Sequence, residues 1–171
     1  MRVITRKKRR GQMLVEYALS WSAVIFPLTI MIVFGTQLLW VWHSVAEITR
    51  DGARYAATHC WQPAGANVVA YMRENLPPMP DSQTIRDGGT EITVSYYQRN
   101  AETGDYEDFA CEGAECSRDC VPDAVTVAIA GYQFQGIQSY FGLPPVTIPN
   151  FSTTIPIESA GCGPDSPDCT P

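Results

Sequence analysis

Histidine is scarce in this 171-residue chain, phosphate-binding glycine patterns are absent, and positive charge is missing from most of its length. The two histidines, His43 and His59, stand at the end of an apolar run and beside Cys60. A Ser-His-Asp or Cys-His unit would have to be assembled from the end of that apolar segment, so no catalytic residue is expected. No P-loop, GxGxxG pattern or internal repeat occurs, and nothing points to a cofactor. Six of the twelve basic residues (Arg2, Arg6, Lys7, Lys8, Arg9, Arg10) crowd the first ten positions. Beyond Gly11, six arginines stand against eighteen carboxylates, a formal charge of −12 where the whole chain carries −6. Nucleic-acid affinity rests on clustered Lys and Arg, so so acidic a body excludes a nucleic-acid partner. A basic cluster alone would match a nucleic-acid patch, but directly before an apolar segment it reads as a topology signal.

Formal charge is also absent from Tyr17 to Ala46, 30 residues that follow the single carboxylate Glu16. A bilayer core needs about 20 helical residues. Trp21 and Trp40 are 19 positions apart, about 29 Å along a helix at about 1.5 Å per residue. With Trp42 they are candidates for the two membrane interfaces. The basic end is expected in the cytoplasm and the remainder on the exported side. A carboxylate at the mouth of such a segment costs roughly a few kcal/mol if drawn toward the bilayer centre, so a partner for Glu16 is expected.

No cysteine precedes Cys60. All six (Cys60, Cys111, Cys116, Cys120, Cys162, Cys169) fall on the expected exported side, and their even count reads as disulfides in an oxidising compartment. Zinc is the competing reading, but Cys111-x4-Cys116-x3-Cys120 lacks the two-residue spacing of zinc knuckles, and no metal site is assigned. Six cysteines permit fifteen pairings, which spacing does not resolve; Cys162 with Cys169 is the one local pair expected. Asp105, Glu107 and Asp108, or Asp165 and Asp168, read first as solvated acidic loops, with Ca²⁺ ligation as the lesser alternative.

The expected organisation is α+β. Residues 1–11 form a leader. Residues 12–60 form one transmembrane helix that continues into an amphipathic helix, with a kink at Pro27. Residues 61–160 form a small exported domain with an antiparallel sheet, and 161–171 a disulfide-bearing tail. Val45, Thr49, Gly52 and Ala56 make an i, i+4, i+7, i+11 stripe, and Gly52, Ala53, Ala56 and Ala57 thin the helix enough for a neighbour to approach. Glu47–Arg50 and Asp51–Arg54 are i, i+3 pairs. Asn67 is the expected cap of a second helix ending near Leu76 at Pro77-Pro78. Strands are expected at 90–97, 124–134 and 151–157, a helical turn at 137–141, and a long stapled loop over 98–123.

Four blocks of sequence carry a resemblance: Arg10-Gly11, Glu16-Tyr17-Ala18, Phe34-Gly35, and Thr49-Arg50-Asp51-Gly52-Ala53-Arg54-Tyr55-Ala56-Ala57. Over residues 9–57 the chain resembles the TadE-like minor pseudopilins of the Flp/Tad (tight adherence) branch of type IV pilins. Val33 and Thr36 flank Phe-Gly where that family usually has a charged or polar pair, and the six cysteines and the acidic segment lie outside its pattern. The resemblance implies a pilin-like fold and cleavage between Gly11 and Gln12 by a prepilin peptidase. It also implies assembly through Glu16 and Tyr17 with other pilin or pseudopilin subunits on an inner-membrane Tad platform. The cut would free an α-amine on Gln12, available to Glu16 of a neighbouring subunit or to Glu16 of the same chain. The implied location is the bacterial inner membrane, single-pass, with the C-terminus periplasmic or, in a pilus, extracellular. The alternative is a single-pass anchored or secreted disulfide-bonded binding module, the secreted form cut after Ser44-Val45-Ala46.

Overall fold

The structure is a computed structural model that describes residues 8–111, 113, 115–157, 159–162 and 169, with side chains from Gly11 onward. The expectations for the basic leader, for Asp165 and Asp168, and for most of the tail lie outside the described residues.

Helix α1 is continuous from Lys8 to Thr58, 51 residues, about 75 Å at about 1.5 Å per residue. It runs through Pro27 without a break in assignment. Four of its hydroxyls are satisfied by its own backbone: Ser22, Thr29, Thr36 and Thr49 each donate to the carbonyl four residues back, at 2.5–2.8 Å. Such internal satisfaction is what an apolar surrounding demands. Among the described residues, α1 is the one helix long and apolar enough to cross a bilayer, with a mean hydropathy of 2.1 in its most apolar window.

The helix has two halves. From Gly11 to Thr29 every residue is exposed. Burial begins at Ile30, and from Val41 onward Val41, Ser44, Val45, Ile48, Thr49, Gly52, Ala53 and Ala56 are buried. The expected stripe is therefore the core-facing side of the helix, and it begins one turn earlier than the sequence reading placed it. Asp51 and Arg54 form the single ion pair among the described residues, at 3.6 Å and exposed. Such a surface pair contributes little to stability.

After the short 3-10 turn Pro63–Gly65, α2 spans Ala66–Glu74 and α3 spans Ser82–Arg86. The antiparallel sheet has the order β2-β1-β3-β6, from β1 (Glu91–Arg99), β2 (Tyr106–Asp108), β3 (Ala124–Ala130) and β6 (Phe151–Pro156). A separate two-stranded ribbon joins β4 (Gln133–Phe134) to β5 (Val146–Thr147). Val125, Val127 and Ile129 alternate toward the core, and α1 packs on β3 and β6. The opposite face is polar: Ser95, Thr126 and Thr154 share one register row, with the two threonine hydroxyls bonded at 2.8 Å.

Three expectations are corrected. The strand expected over 124–134 is two, because Gly131 takes φ +71 after Ala130 and turns the chain out of the sheet. The loop 98–123 contains β2, held to β1 through a turn in which the Asn100 carboxamide accepts from the Glu102 amide at 2.8 Å. Asn67 does not cap α2. Gly65 occupies that position, while the Asn67 side chain donates to the Cys60 carbonyl at 3.0 Å and ties α2 to the end of α1.

Gly52 and Gly65 mark two close approaches to neighbouring elements. A Cβ on Gly52 would lie 2.5 Å from the Met72 sulfur, and one on Gly65 would lie 2.5 Å from the Val94 Cβ. Gly65 also has φ +62. Gly65→Ala is expected to lower unfolding free energy by about 2–4 kcal/mol, a left-handed penalty added to overpacking against a stiff β-branched neighbour. Gly131→Ala, with equal backbone strain but open space around it, should cost only about 1–2 kcal/mol. Denaturant midpoints of the two variants check the difference.

Candidate functional site

The helix brings Gly11, Gln12, Glu16, Tyr17 and Trp21 together at its free end. A Cβ on Gly11 would meet nothing within 4 Å, so the Gly11-Gln12 bond borders open space. The Gln12 carboxamide donates to Glu16 Oε1 at 3.1 Å, one turn away. The Tyr17 and Trp21 rings lie 6.0 Å apart, tilted. Among the side chains described, from Gly11 onward, no cation reaches Glu16. The arrangement is an exposed apolar face carrying one carboxylate.

Trp40 and Trp42 belong to the other half of the helix. The Trp42 ring meets Phe151 of β6 edge-on at 4.9 Å, and Phe34 lies 6.2 Å from Phe134 of β4. Gln37, the only amide side chain within the charge-free helical run, accepts the Ile137 backbone N–H at 3.2 Å. Gln37 was not among the residues singled out from sequence. Its signal was there, since a carboxamide isolated in an apolar run needs a partner.

All six cysteines are paired: Cys60–Cys116, Cys111–Cys120 and Cys162–Cys169, with Cα separations of 4.8, 5.7 and 4.1 Å. The expected Cys162–Cys169 pair is present, and the other two were not readable from spacing. Cys60–Cys116 fastens the end of α1 to the loop before β3, where the Cys116 amide donates to the Trp61 carbonyl at 3.4 Å and the Cys169 amide to the Cys116 carbonyl at 3.0 Å. Among the described residues no group of three His, Cys, Asp or Glu could hold a metal ion. The zinc reading loses its thiolates to these bonds, and the Glu107 carboxylate accepts from Asn100 at 2.7 Å. His59 stacks on Tyr55 at 3.7 Å, and its Nδ1 lies 2.9 Å from the Tyr55 carbonyl. It closes the end of α1.

A cavity of 320 Å³ opens at the far end of the domain between Trp61, Val94, Tyr96, Asp108 and Phe109. The buried Tyr96 hydroxyl finds no hydrogen-bond partner among the described residues, and burial pushes its pKa up to about 12. Burial, with the nearby Asp81 carboxylate, raises Tyr132 to about 12 as well, its hydroxyl donating to the Pro80 carbonyl at 3.4 Å.

No family model, curated protein or solved structure matches this chain.

Both tyrosines hold their protons to higher pH when folded than when unfolded. Their contribution to stability is therefore intact below pH 10 and is lost as pH rises from about 10 toward 12. Tyr96→Phe is expected to leave stability unchanged or raise it by up to about 1 kcal/mol, because it removes a buried hydroxyl without a protein partner. It should also remove one of two late-titrating tyrosines from an ultraviolet alkaline titration. A loss of stability beyond about 1 kcal/mol would mean that the hydroxyl is bonded.

Proposed function

We propose that this chain is a minor pilin-like (pseudopilin) subunit of a Tad-type pilus or secretion system, structural and not enzymatic, anchored in a bacterial inner membrane by one pass of α1. The observation that carries the proposal is the free half of α1. From Gly11 to Thr29 it is exposed, apolar and without a packing partner among the described residues, and it bears its one carboxylate five residues after an open glycine. Gly11 and Gln12 form the scissile pair for a prepilin peptidase. The basic end stays cytoplasmic until it is removed, and the disulfide-bonded domain is exported to the periplasm or into the filament.

The same face supplies the subunit contact. In a filament the bared α-amine of one Gln12 and the Glu16 carboxylate of a neighbour form an ion pair between apolar helices. A buried pair of that kind contributes register more than stability. Within the intact chain the Gln12 carboxamide occupies Glu16, so this contact has to be exchanged on assembly. Tyr17 packs beside it, and the assembly platform in the membrane is the remaining partner.

A secreted module cut after Ala46 fits the packing poorly. The cut would remove Val41 and Val45, both fully buried, from the domain core, and each such loss costs about 1.5–3 kcal/mol in transfer free energy alone.

N-terminal sequencing of the mature chain should give Gln12 as the first residue. A start at Glu47, or an unprocessed start, overturns the reading. Glu16→Ala is expected to be inserted and cleaved like the parent but excluded from pili, read as loss of the subunit from sheared filaments. Normal incorporation would eliminate the pairing role of Glu16.

A further inference from the structure

The chain contains a second long stretch without charge. From Ala124 to Ile157, 34 residues carry no Asp, Glu, Lys, Arg or His. Its middle is the connection from β4 to β5, which includes the 3-10 turn Ile137–Phe141. That connection leaves the sheet and descends along α1. Phe151, at the start of β6, lies at the level of Trp42, and Ile137 lies at the level of Gln37. The tip shares a cavity of 190 Å³ with the helix, lined by Ile30, Met31 and Phe34 on one side and Ile137, Phe141 and Leu143 on the other. From Trp42 to Met31 is about 17 Å along the helix axis at about 1.5 Å per residue. The tip thus reaches well below the sheet toward the free end of α1.

Its outer surface is apolar and uncovered. Tyr140 is 89% exposed, Phe141 55% and Leu143 58%, with Pro144 and Pro145 also exposed. Gln138 lines the cavity too, but its carboxamide is spent on backbone, donating to the Phe134 carbonyl at 2.9 Å and accepting from the Gly136 amide at 3.0 Å. The carboxylates Glu102, Asp105, Glu107 and Asp108 sit at the opposite end of the sheet, beyond the β1 end that pairs with β2. At the tip's own end of the sheet Glu91 pairs with Ala130 and Asp81 lies near Tyr132, so the lack of charge belongs to the connection itself, which extends below them along α1.

The length of the free helix places this apolar tip. From Gly11 to Met31 is about 30 Å at about 1.5 Å per residue, the thickness of a hydrocarbon core. A helix that enters the bilayer at Gly11 leaves it at the level of the tip, a register that places Trp21 at mid-span and Trp40 and Trp42 beyond the core and so replaces the Trp21–Trp40 interface placement expected from sequence. We propose that the tip, Tyr140, Phe141 and Leu143, enters the outer-leaflet interface and that the cavity beside it takes a segment of lipid acyl chain. The phenol of Tyr140 suits the headgroup level, and the adjoining Phe and Leu suit the acyl boundary. The tip would then be a second membrane contact that fixes the tilt and rotation of the exported domain before assembly, a setting that one helix alone does not provide. The proposal rests on the membrane-spanning reading of α1.

The test uses the full chain in phosphatidylethanolamine–phosphatidylglycerol vesicles doped with a phospholipid carrying a diazirine near the glycerol end of one acyl chain. After photolysis, lipid adducts are mapped by mass spectrometry on three segments: the helix 13–29, the tip 137–145 and the acidic turn 100–108. Adducts are expected on the helix and on the tip, and not on the acidic turn. In the triple variant Tyr140→Ser, Phe141→Ser, Leu143→Ser, tip adducts should fall to the level of the acidic turn while helix adducts persist. These side chains are exposed, so the variant keeps its core, and an unchanged near-ultraviolet circular dichroism spectrum verifies it. Labelled helix with an unlabelled tip overturns the inference and leaves the anchor intact. A tip that crosslinks to a second copy of the chain in place of lipid overturns it in favour of a subunit contact. Absence of label on both segments overturns the membrane reading and the inference together.

Discussion

Val41, Val45, Ile48, Thr49, Ala53 and Ala56 lie on one side of α1, and the inner face of the sheet and α2 close over them. The rest of the molecule depends on this contact. The sheet has four strands and one polar face, too little to bury a core by itself, so its apolar side needs the helix. The helix in turn accepts neighbours closely only because its contact side is small at Gly52, Ala53 and Ala56, where the Met72 side chain fills the space a Cβ would take. Hydrophobic burial here fixes a rigid junction. The direction of the free half of α1 is set by the packing of the upper half.

The disulfides reinforce that junction unequally. Cys60–Cys116 spans 56 positions, against 9 and 7 for the other two. In the chain-entropy account, closing a loop of that length is worth about 4 kcal/mol, compared with roughly 2.5 kcal/mol for the short ones. It is also the bond that joins the end of α1 to the sheet side of the domain. A domain of this size gains most from the crosslink at the helix end. The two short bridges hold local turns, Cys111–Cys120 before β3 and Cys162–Cys169 near the C-terminus.

The polar groups follow the same division. In the free half, Ser22 and Thr29 return their hydroxyls to the helix backbone, and Glu16 is the one charged group exposed there, held by Gln12. In the packed half, Gln37 gives its carbonyl to Ile137 and so seats the β4–β5 connection against the helix. One helix therefore presents two different surfaces: an apolar rod with a single carboxylate, and the spine of a small domain.

Much of this was legible in the sequence. The 30-residue charge-free run, the i, i+4, i+7 stripe past Val45 and the β-branched alternation of 90–97 and 124–130 follow from local periodicity, and each corresponds to an observed element. The paired state of the cysteines followed from their even number on one side of the apolar run. Other features depend on residues far apart in the chain. Sequence could not show that β2 forms among acidic residues, because its pairing with β1 is supplied by the Asn100 turn. Nor could it show that Trp42 faces Phe151, or that Cys60 selects Cys116 among five candidates. The second charge-free run was visible as composition, but its descent along α1 to Ile30 was not. Periodicity and composition are local properties that the sequence determines by itself. Which faces meet, and at what height along the helix, was decided only when tertiary packing brought distant apolar surfaces out of water together.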